Sequence, residues 1–585
     1  MLYPQSNRYR QCYDLSGLWD IRFDREQSGK SAGFQSGFMG GSPVAVPASW
    51  NDQFDNMRDY LGFAWYQTRF DAPWLLDGRN QFLRFGSVNY LAEVWLNGIR
   101  LGSHEGGHLP FEFEVTSAMR LEDNVLVVLV DGSLAIDRVP PGHVPVNPQD
   151  RFGDVSFPDG SFDFFPYCGI HRPVLLYAVA PGALVDLTVT TDIEGNTGLV
   201  RVQMQRAVTT PAHANLMLRG HGDPVHAELD FGLQGEISFH VPDAALWSPD
   251  APNLYDLIVE LEESGQIMDR YVLPIGIRTI KIEGDKLLLN GKPVYLKGFG
   301  RHEDFPVVGR GLLPALIIKD YGLMQWMGAN SFRTTHYPYS EQMMDMADRL
   351  GYLVIDETPA VGLFFAEPGL DRRLELCRQY TNELIARDKN HPSVIAWSLA
   401  NEPHSNRPAA EPFFRNLYEL AKSLDTTRPI TVVTTVGVTE TAYSFLDFMC
   451  LNRYYGWYTD PGQLDVACER LSAELDALYE RYHKPLILTE FGADALPGSH
   501  TEPPEMYSEE FQAELIARYI EVLRTKPFVI GEHVWNLCDF KTGQMVHRVA
   551  GYNFKGVFTR DRRPKLAAHR LREIWKMDTH ISASN

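Results

Sequence analysis

Val394-Ile395-Ala396-Trp397-Ser398-Leu399-Ala400-Asn401-Glu402-Pro403 is an apolar run that ends on a carboxylate. Its first four residues read as a short buried strand. Burying an unpaired charge is expensive, so Glu402 needs a partner, a proton or an opening to water at the strand's end. Leu486-Ile487-Leu488-Thr489-Glu490-Phe491-Gly492 repeats the arrangement. Two acids, each at the C-terminal end of an apolar strand and far apart in the chain, predict a barrel with paired carboxylates on its top face.

The surrounding sequence has the matching rhythm. After Ile277, strand-like runs at 294–298, 331–334, 352–356, 394–397, 430–433, 449–451, 486–488 and 528–530 alternate with helical stretches at 315–327, 370–387, 413–424, 467–482 and 511–523. These strands number about eight, which closes a (β/α)8 barrel over residues 277–585. Upstream the rhythm is that of short strands and hairpin turns such as Asn97-Gly98 and Asp131-Gly132. Residues 1–180 predict an antiparallel β-sandwich and residues 181–276 a smaller, immunoglobulin-like one. The expected fold is therefore multidomain, two N-terminal all-β sandwiches followed by the barrel.

A chain of 585 residues exceeds one hydrophobic core, and a net charge of -21 argues against nucleic-acid or anionic-membrane partners. No stretch is long and apolar enough to span a bilayer, and Met1 to Arg8 lacks the apolar segment of a secretory signal, so a cytoplasmic location is expected. The six cysteines are scattered without C-x-x-C pairs, as free thiols would be. His104-Glu105-Gly106-Gly107-His108 spells H-E-x-x-H, but zinc binding by that motif needs a helix. Two glycines among hairpins argue against one, and no metal is expected.

Polar and aromatic residues crowd the strand ends: Arg301 to Asp304, Thr335 to Tyr337, Asp356 and Glu357, Asn401 and Glu402, Asn452 to Tyr455, Glu490, then Glu532, Trp535, Asn536 and Asp539. On Asn401-Glu402-Pro403 and Thr489-Glu490-Phe491-Gly492, with Gly298 to Asp304, Arg333 to Pro338, Ile355 to Thr358 and Asn452 to Tyr458, the chain resembles glycoside hydrolase family 2. That family joins a jelly-roll sugar-binding-like sandwich, an immunoglobulin-like sandwich and a catalytic barrel. Within it the sequence looks like a bacterial-type β-glucuronidase.

The resemblance implies a retaining exo-glycosidase, with Glu402 as acid/base and Glu490 as nucleophile, roughly 5–5.5 Å apart. Glu402 must then be protonated before cleavage, helped by burial and by an ionised Glu490. Asn401 matches the asparagine that holds the sugar 2-hydroxyl, Tyr454 or Tyr458 could hold Glu490 ionised, and Tyr458 resembles a sugar-contacting tyrosine. His336, Asn452, Trp535 and Asp163 match sugar-pocket residues, Asp163 on a loop that reaches the barrel from the first sandwich. Asn553-Phe554-Lys555-Gly556 resembles the pair that binds the C6 carboxylate, with Arg548 as an assistant or a rim residue. Charge-assisted hydrogen bonds suit that task, and a neutral glucoside would leave Lys555 buried and unpaired.

The resemblance also implies a homo-oligomer, dimer or tetramer, and no cofactor needed for catalysis; some relatives bind a flavin nucleotide away from the active site. The substrate expected is a small-molecule or oligosaccharide β-glucuronide. β-Galacturonidase, β-galactosidase and a non-catalytic carbohydrate-binding protein are the rival readings. A short connection after Glu357-Thr358-Pro359-Ala360-Val361-Gly362, where some relatives carry a long loop, predicts an open aglycone side.

Overall fold

The structure, a computed structural model, describes residues 2–72, 78–143 and 156–582, with residues 578–582 by backbone alone. The first sandwich stacks a six-stranded antiparallel sheet, with Asn124–Asp131 near its middle, on a four-stranded one containing Asn80–Phe85 and Val174–Val179. Side chains such as Tyr66, Phe85, Leu126 and Val128 fill the space between the sheets. The second sandwich pairs a three-stranded with a four-stranded sheet. In its strand Thr197–Arg206, buried Val200, Val202 and Met204 alternate with exposed Arg201, Gln203 and Gln205. That period of two turns one face to the core and one to water.

The barrel is closed and all parallel. Its strands are β1 (Leu296–Arg301), β2 (Ser331–Thr334), β3 (Leu353–Glu357), β4 (Val394–Asn401), β5 (Ile430–Thr434), β6 (Met449–Asn452), β7 (Leu486–Glu490) and β8 (Val529–Val534). Around them run α1 (Pro314–Met327), α2 (Glu341–Leu350), α3 (Leu370–Asp388), α4 (Ala410–Leu424), α5 (Leu464–Tyr482), α6 (Glu509–Arg524) and α7 (Leu566–Ser582). Only short 3-10 turns link β5 to β6. The sequence reading missed two of these helices, α2 and α7. Helix α2 starts on Ser340, whose hydroxyl caps Met343 N–H, and stops at left-handed Gly351.

A small antiparallel sheet, Ile280–Glu283, Lys286–Leu289 and Lys292–Pro293, precedes the barrel and had no counterpart in the sequence reading. Its Ile280, Leu287 and Leu289 pack with Leu296, Leu353, Ile395, Ile487 and Ile530, residues at or near the starts of barrel strands. The barrel's N-terminal mouth is thereby plugged with aliphatic side chains, leaving the strand C-termini as the end that carries polar groups. Glu532 departs from the expected strand-end list: it lies within β8 and accepts hydrogen bonds from Trp575, Tyr295 and Arg524, out among the helices. No helix among the described residues is long and apolar enough to cross a membrane, and all six cysteines are free.

Candidate active site

Glu402 follows the last residue of β4, where the ladder to β5 is irregular. Its φ of 45° is left-handed, a conformation uncommon for a residue with a side chain and often found at functional sites. Its N–H is held by the Val433 carbonyl at 2.9 Å. Asn452, at the end of β6, donates its amide to Glu402 Oε1 at 2.7 Å. Thr489 Oγ1 donates to the Asn452 carbonyl oxygen at 2.8 Å, which fixes the amide so that its N–H2 group faces the acid.

Glu490 closes β7 and is almost fully buried. Arg333 Nη2 donates to its Oε1 at 2.5 Å and the Tyr454 hydroxyl to its Oε2 at 2.7 Å. The same guanidinium uses Nη1 on Glu357, at 2.8 and 2.9 Å, and on the Asn401 carbonyl oxygen at 3.2 Å. Glu357 also takes Ser398 Oγ at 2.8 Å and His336 Nδ1 at 3.0 Å. Burial alone would raise the Glu357 carboxyl, but the Arg333 charge and these bonds hold it below its usual range. His336, kept neutral chiefly by burial, stacks on Trp535 with ring centroids 5.0 Å apart and sets Nε2 3.7 Å from Glu490. A side chain at Gly300 of β1 would meet the Trp535 ring at 2.5 Å, so the indole's place depends on that glycine.

Asn401 accepts with its carbonyl oxygen from Arg333 and Asn452, and its Nδ2 has no partner among the described residues. That leaves an oriented donor beside the two acids. Burial pushes Glu402 up, and pushes Glu490 up to about 8 against the pull of Arg333, with the Glu402 charge adding to the rise.

The second half of the site draws on the loops after β6, β7 and β8 and on one loop of the first sandwich. Asp163, reaching over from the first sandwich, accepts from Arg548 Nε at 2.9 Å and from Asn553 Nδ2 at 2.9 Å. Lys555 Nζ donates to the Tyr458 hydroxyl at 2.9 Å, and Arg548 Nη2 reaches the same oxygen at 2.7 Å. Tyr458 is half exposed, whereas Lys555 and Arg548 are buried. Lys555 is not unpaired: Asp494, four residues beyond Glu490, takes its ammonium at 2.5 Å. The expectation that a neutral sugar would strand a bare ammonium is corrected by that ion pair.

The structure thus gathers Glu402, Glu490, Asn401, Asn452, His336, Tyr454 and Trp535 at one end of the barrel and joins Asp163, Arg548, Asn553, Lys555 and Tyr458 in a polar cluster beside them. Of the two tyrosines weighed for Glu490, Tyr454 makes the contact and Tyr458 serves the cationic pair. Arg333, Glu357 and Asp494 were not singled out as site residues. A charge inside the otherwise buried run of β2 was the signal for Arg333; nothing local marks Asp494. The H-E-x-x-H residues lie on a strand and its loop, Ile99–Glu105 and beyond, with His104 on Glu383, Glu105 on Arg372 and His108 stacked on Tyr337. A cavity of about 570 Å³ lined by Arg25, Asp55, Arg58 and Tyr60 contains none of these residues.

Comparison with known sequences matches residues 280–579 to the family described as glycosyl hydrolases family 2, TIM barrel domain. Residues 12–180 match that family's sugar binding domain, and 183–278 match glycosyl hydrolases family 2. The chain belongs to glycoside hydrolase family 2. It is 41% identical to a β-glucuronidase of Paenibacillus borealis over 98% of both chains. Among solved structures, a β-D-glucuronidase of Dictyoglomus thermophilum superposes with a TM-score of 0.90 at 42% identity, covering 98% of this chain and 99% of that one. A Ruminococcus gnavus β-glucuronidase in complex with D-glucuronic acid superposes with a TM-score of 0.91 at 37% identity, covering 98% and 99%.

Proposed function

We propose that this chain is a retaining exo-β-glucuronidase that releases glucuronic acid from β-D-glucuronides. The observation that carries the sugar class is the buried pair Lys555 and Arg548 meeting on the Tyr458 hydroxyl beside the two acids. A buried ammonium with an adjacent amide suits one carboxylate, and relatives of like sequence are β-glucuronidases.

The chemistry needs only the two acids. Glu490 attacks the anomeric carbon while Glu402 gives its proton to the departing glycosidic oxygen, leaving a glycosyl ester on Glu490. Glu402, now the base, takes a proton from water, whose oxygen attacks the same carbon and releases Glu490. Between them the acids hold one proton. The upward shift of Glu490 taken alone would put it there, but the donors argue for Glu402. Arg333 and Tyr454 both serve Glu490, and a charge-assisted bond is roughly twice as strong as a neutral one. Glu402 receives one neutral amide. The open Nδ2 of Asn401 is the donor we assign to the sugar 2-hydroxyl, a contact that strengthens as positive charge develops on the ring.

A panel of p-nitrophenyl β-glycosides tests the reading: glucuronide, galacturonide, galactoside and glucoside. Glucuronide should turn over fastest by kcat/KM. A faster galacturonide would move the assignment to the other uronic acid, and a faster neutral sugar would refute it.

A further inference from the structure

We propose that Asp494 is a positioning residue that sets the uronate selectivity of this site by holding the Lys555 ammonium where a sugar carboxylate arrives. The inference rests on the glucuronidase reading above.

Asp494 divides its two oxygens between the backbone and the tip of one short segment. Oδ1 accepts Phe554 N–H at 2.7 Å, and Oδ2 accepts Lys555 Nζ at 2.5 Å. Both side chains are buried, with 2% and 1% exposed. A lysine stem is long and flexible, and ordering it carries about 2 kcal/mol of rotamer entropy. The rings of Tyr458, Trp457 and Tyr454, 4.7, 5.3 and 5.7 Å from the ammonium, favour a cation nearby but do not direct its N–H bonds. Asp494 and the Tyr458 hydroxyl do direct them. An ammonium has three N–H donors. Two are taken, and the third has no partner among the described residues.

The charges in the cluster are already balanced. Lys555 and Arg548 face Asp494 and Asp163. A neutral sugar therefore leaves no stranded cation, and selectivity comes from the aimed third donor rather than from a bare charge. An incoming carboxylate shares Lys555 with Asp494, so Asp494 must place the ammonium without consuming it. Loss of Asp494 would leave the ammonium to the Tyr458 hydroxyl, the rings and water, and with one of its two fixed directions gone its aim would be lost.

Asp494→Asn is the direct test, because it keeps an acceptor for Phe554 N–H and removes the ion pair. Losing one aimed charge-assisted bond corresponds to a fall in glucuronide kcat/KM of roughly 10–100-fold, most of it in KM. The neutral glucoside should change by less than about threefold on the same principle. Asp494→Glu, which keeps the charge but shifts the ammonium, should raise glucuronide KM less than the Asn variant does. In a Lys555→Met background, Asp494→Asn should change the glucuronide-to-glucoside ratio no further. If Asp494→Asn melts early, the Glu variant and the Lys555→Met pair carry the measurement.

Equal losses on both substrates would make Asp494 merely structural and overturn the proposal, as would an unchanged or higher ratio. The wild-type panel separates the two readings. A wild type without glucuronide preference removes the glucuronidase reading itself, whereas a preference that survives Asp494→Asn removes only the role given to Asp494.

Discussion

Arg333 and Glu490 come from different barrel strands, β2 and β7, and their side chains meet at 2.5 Å with 0% and 4% exposure. The same guanidinium also satisfies Glu357, so one cation stands between two buried acids. Removing it leaves both uncompensated, and breaking a buried pair in this way costs about 3–5 kcal/mol. Arg333→Met should therefore fold less stably and lose turnover, while Arg333→Lys keeps the charge but reaches only one acid. Differential scanning calorimetry beside kinetics on both variants checks this. A Met variant that melts with the wild type would show that the pair contributes little.

For the two acids themselves, Glu490→Ala should abolish turnover of p-nitrophenyl glucuronide. Glu402→Ala should slow it by roughly 10²–10⁴-fold, the usual worth of a general acid. That loss should be smallest for leaving groups that need no proton. Tyr454→Phe removes one hydrogen bond to a carboxylate, worth about 1.5–3 kcal/mol, so kcat should fall roughly 10–150-fold. Mass spectrometry of a trapped glycosyl adduct would place the ester, and finding it on any residue but Glu490 refutes the assignment.

Stability should fall as pH rises. The folded pair keeps one shared proton that the unfolded chain releases near 4.5, because burial raises both carboxyls, Glu490 to about 8 when taken alone. A group raised on folding contributes stability that is complete below its unfolded value and is lost as pH climbs through the folded one. Between pH 4.5 and 8 this adds a downward slope of at most about 1.4 kcal/mol per pH unit. Melting curves across that window should show the slope, and Glu490→Gln should flatten it. An equally steep profile in that variant would show that the retained proton does not depend on the pair.

The parts that were legible in the sequence were those with a local cause. Buried strands announce themselves as apolar runs, and their ends were readable because Glu402 and Glu490 break those runs with a charge. The missed helix α2 spans only ten residues, so its period was short and easily overlooked. Asp494 and Lys555 lie 61 residues apart and meet only because two loops converge. Their pairing therefore left no local signal, and with Asp494 unseen the charge balance around Lys555 was misjudged. Arg333 shows in the sequence only as a charge within a strand, because its two acid partners come from β3 and β7.

Lys555→Ala should chiefly destroy the preference for glucuronide over glucoside. The ammonium is the cluster's aimed donor, and its removal leaves Asp494 with Phe554 N–H and with the Arg548 guanidinium at 3.8 Å. Activity on the neutral sugar should stay within a few-fold of wild type, because Lys555 contacts neither catalytic acid. An intact preference in this variant would sink the carboxylate assignment.

The last prediction concerns what lies beyond the sugar. The connection from β3 to α3 turns inward. Val361 bridges to Asn401, Leu363 and Phe365 are buried, and Arg373 covers the Phe364 ring at 3.9 Å while donating to the Phe364 and Ala366 carbonyls. A segment pinned in this way has little chain left to fold over a small leaving group. Contacts from a covering loop would add binding energy for compact aglycones, and their loss lowers kcat/KM without touching the acids. Extended glucuronides, which carry their own further sugars, depend less on such a cover. Comparing p-nitrophenyl glucuronide with a glucuronyl oligosaccharide should therefore show the longer substrate matched or preferred. A clear preference for the small one would mean that another part of the rim encloses the aglycone.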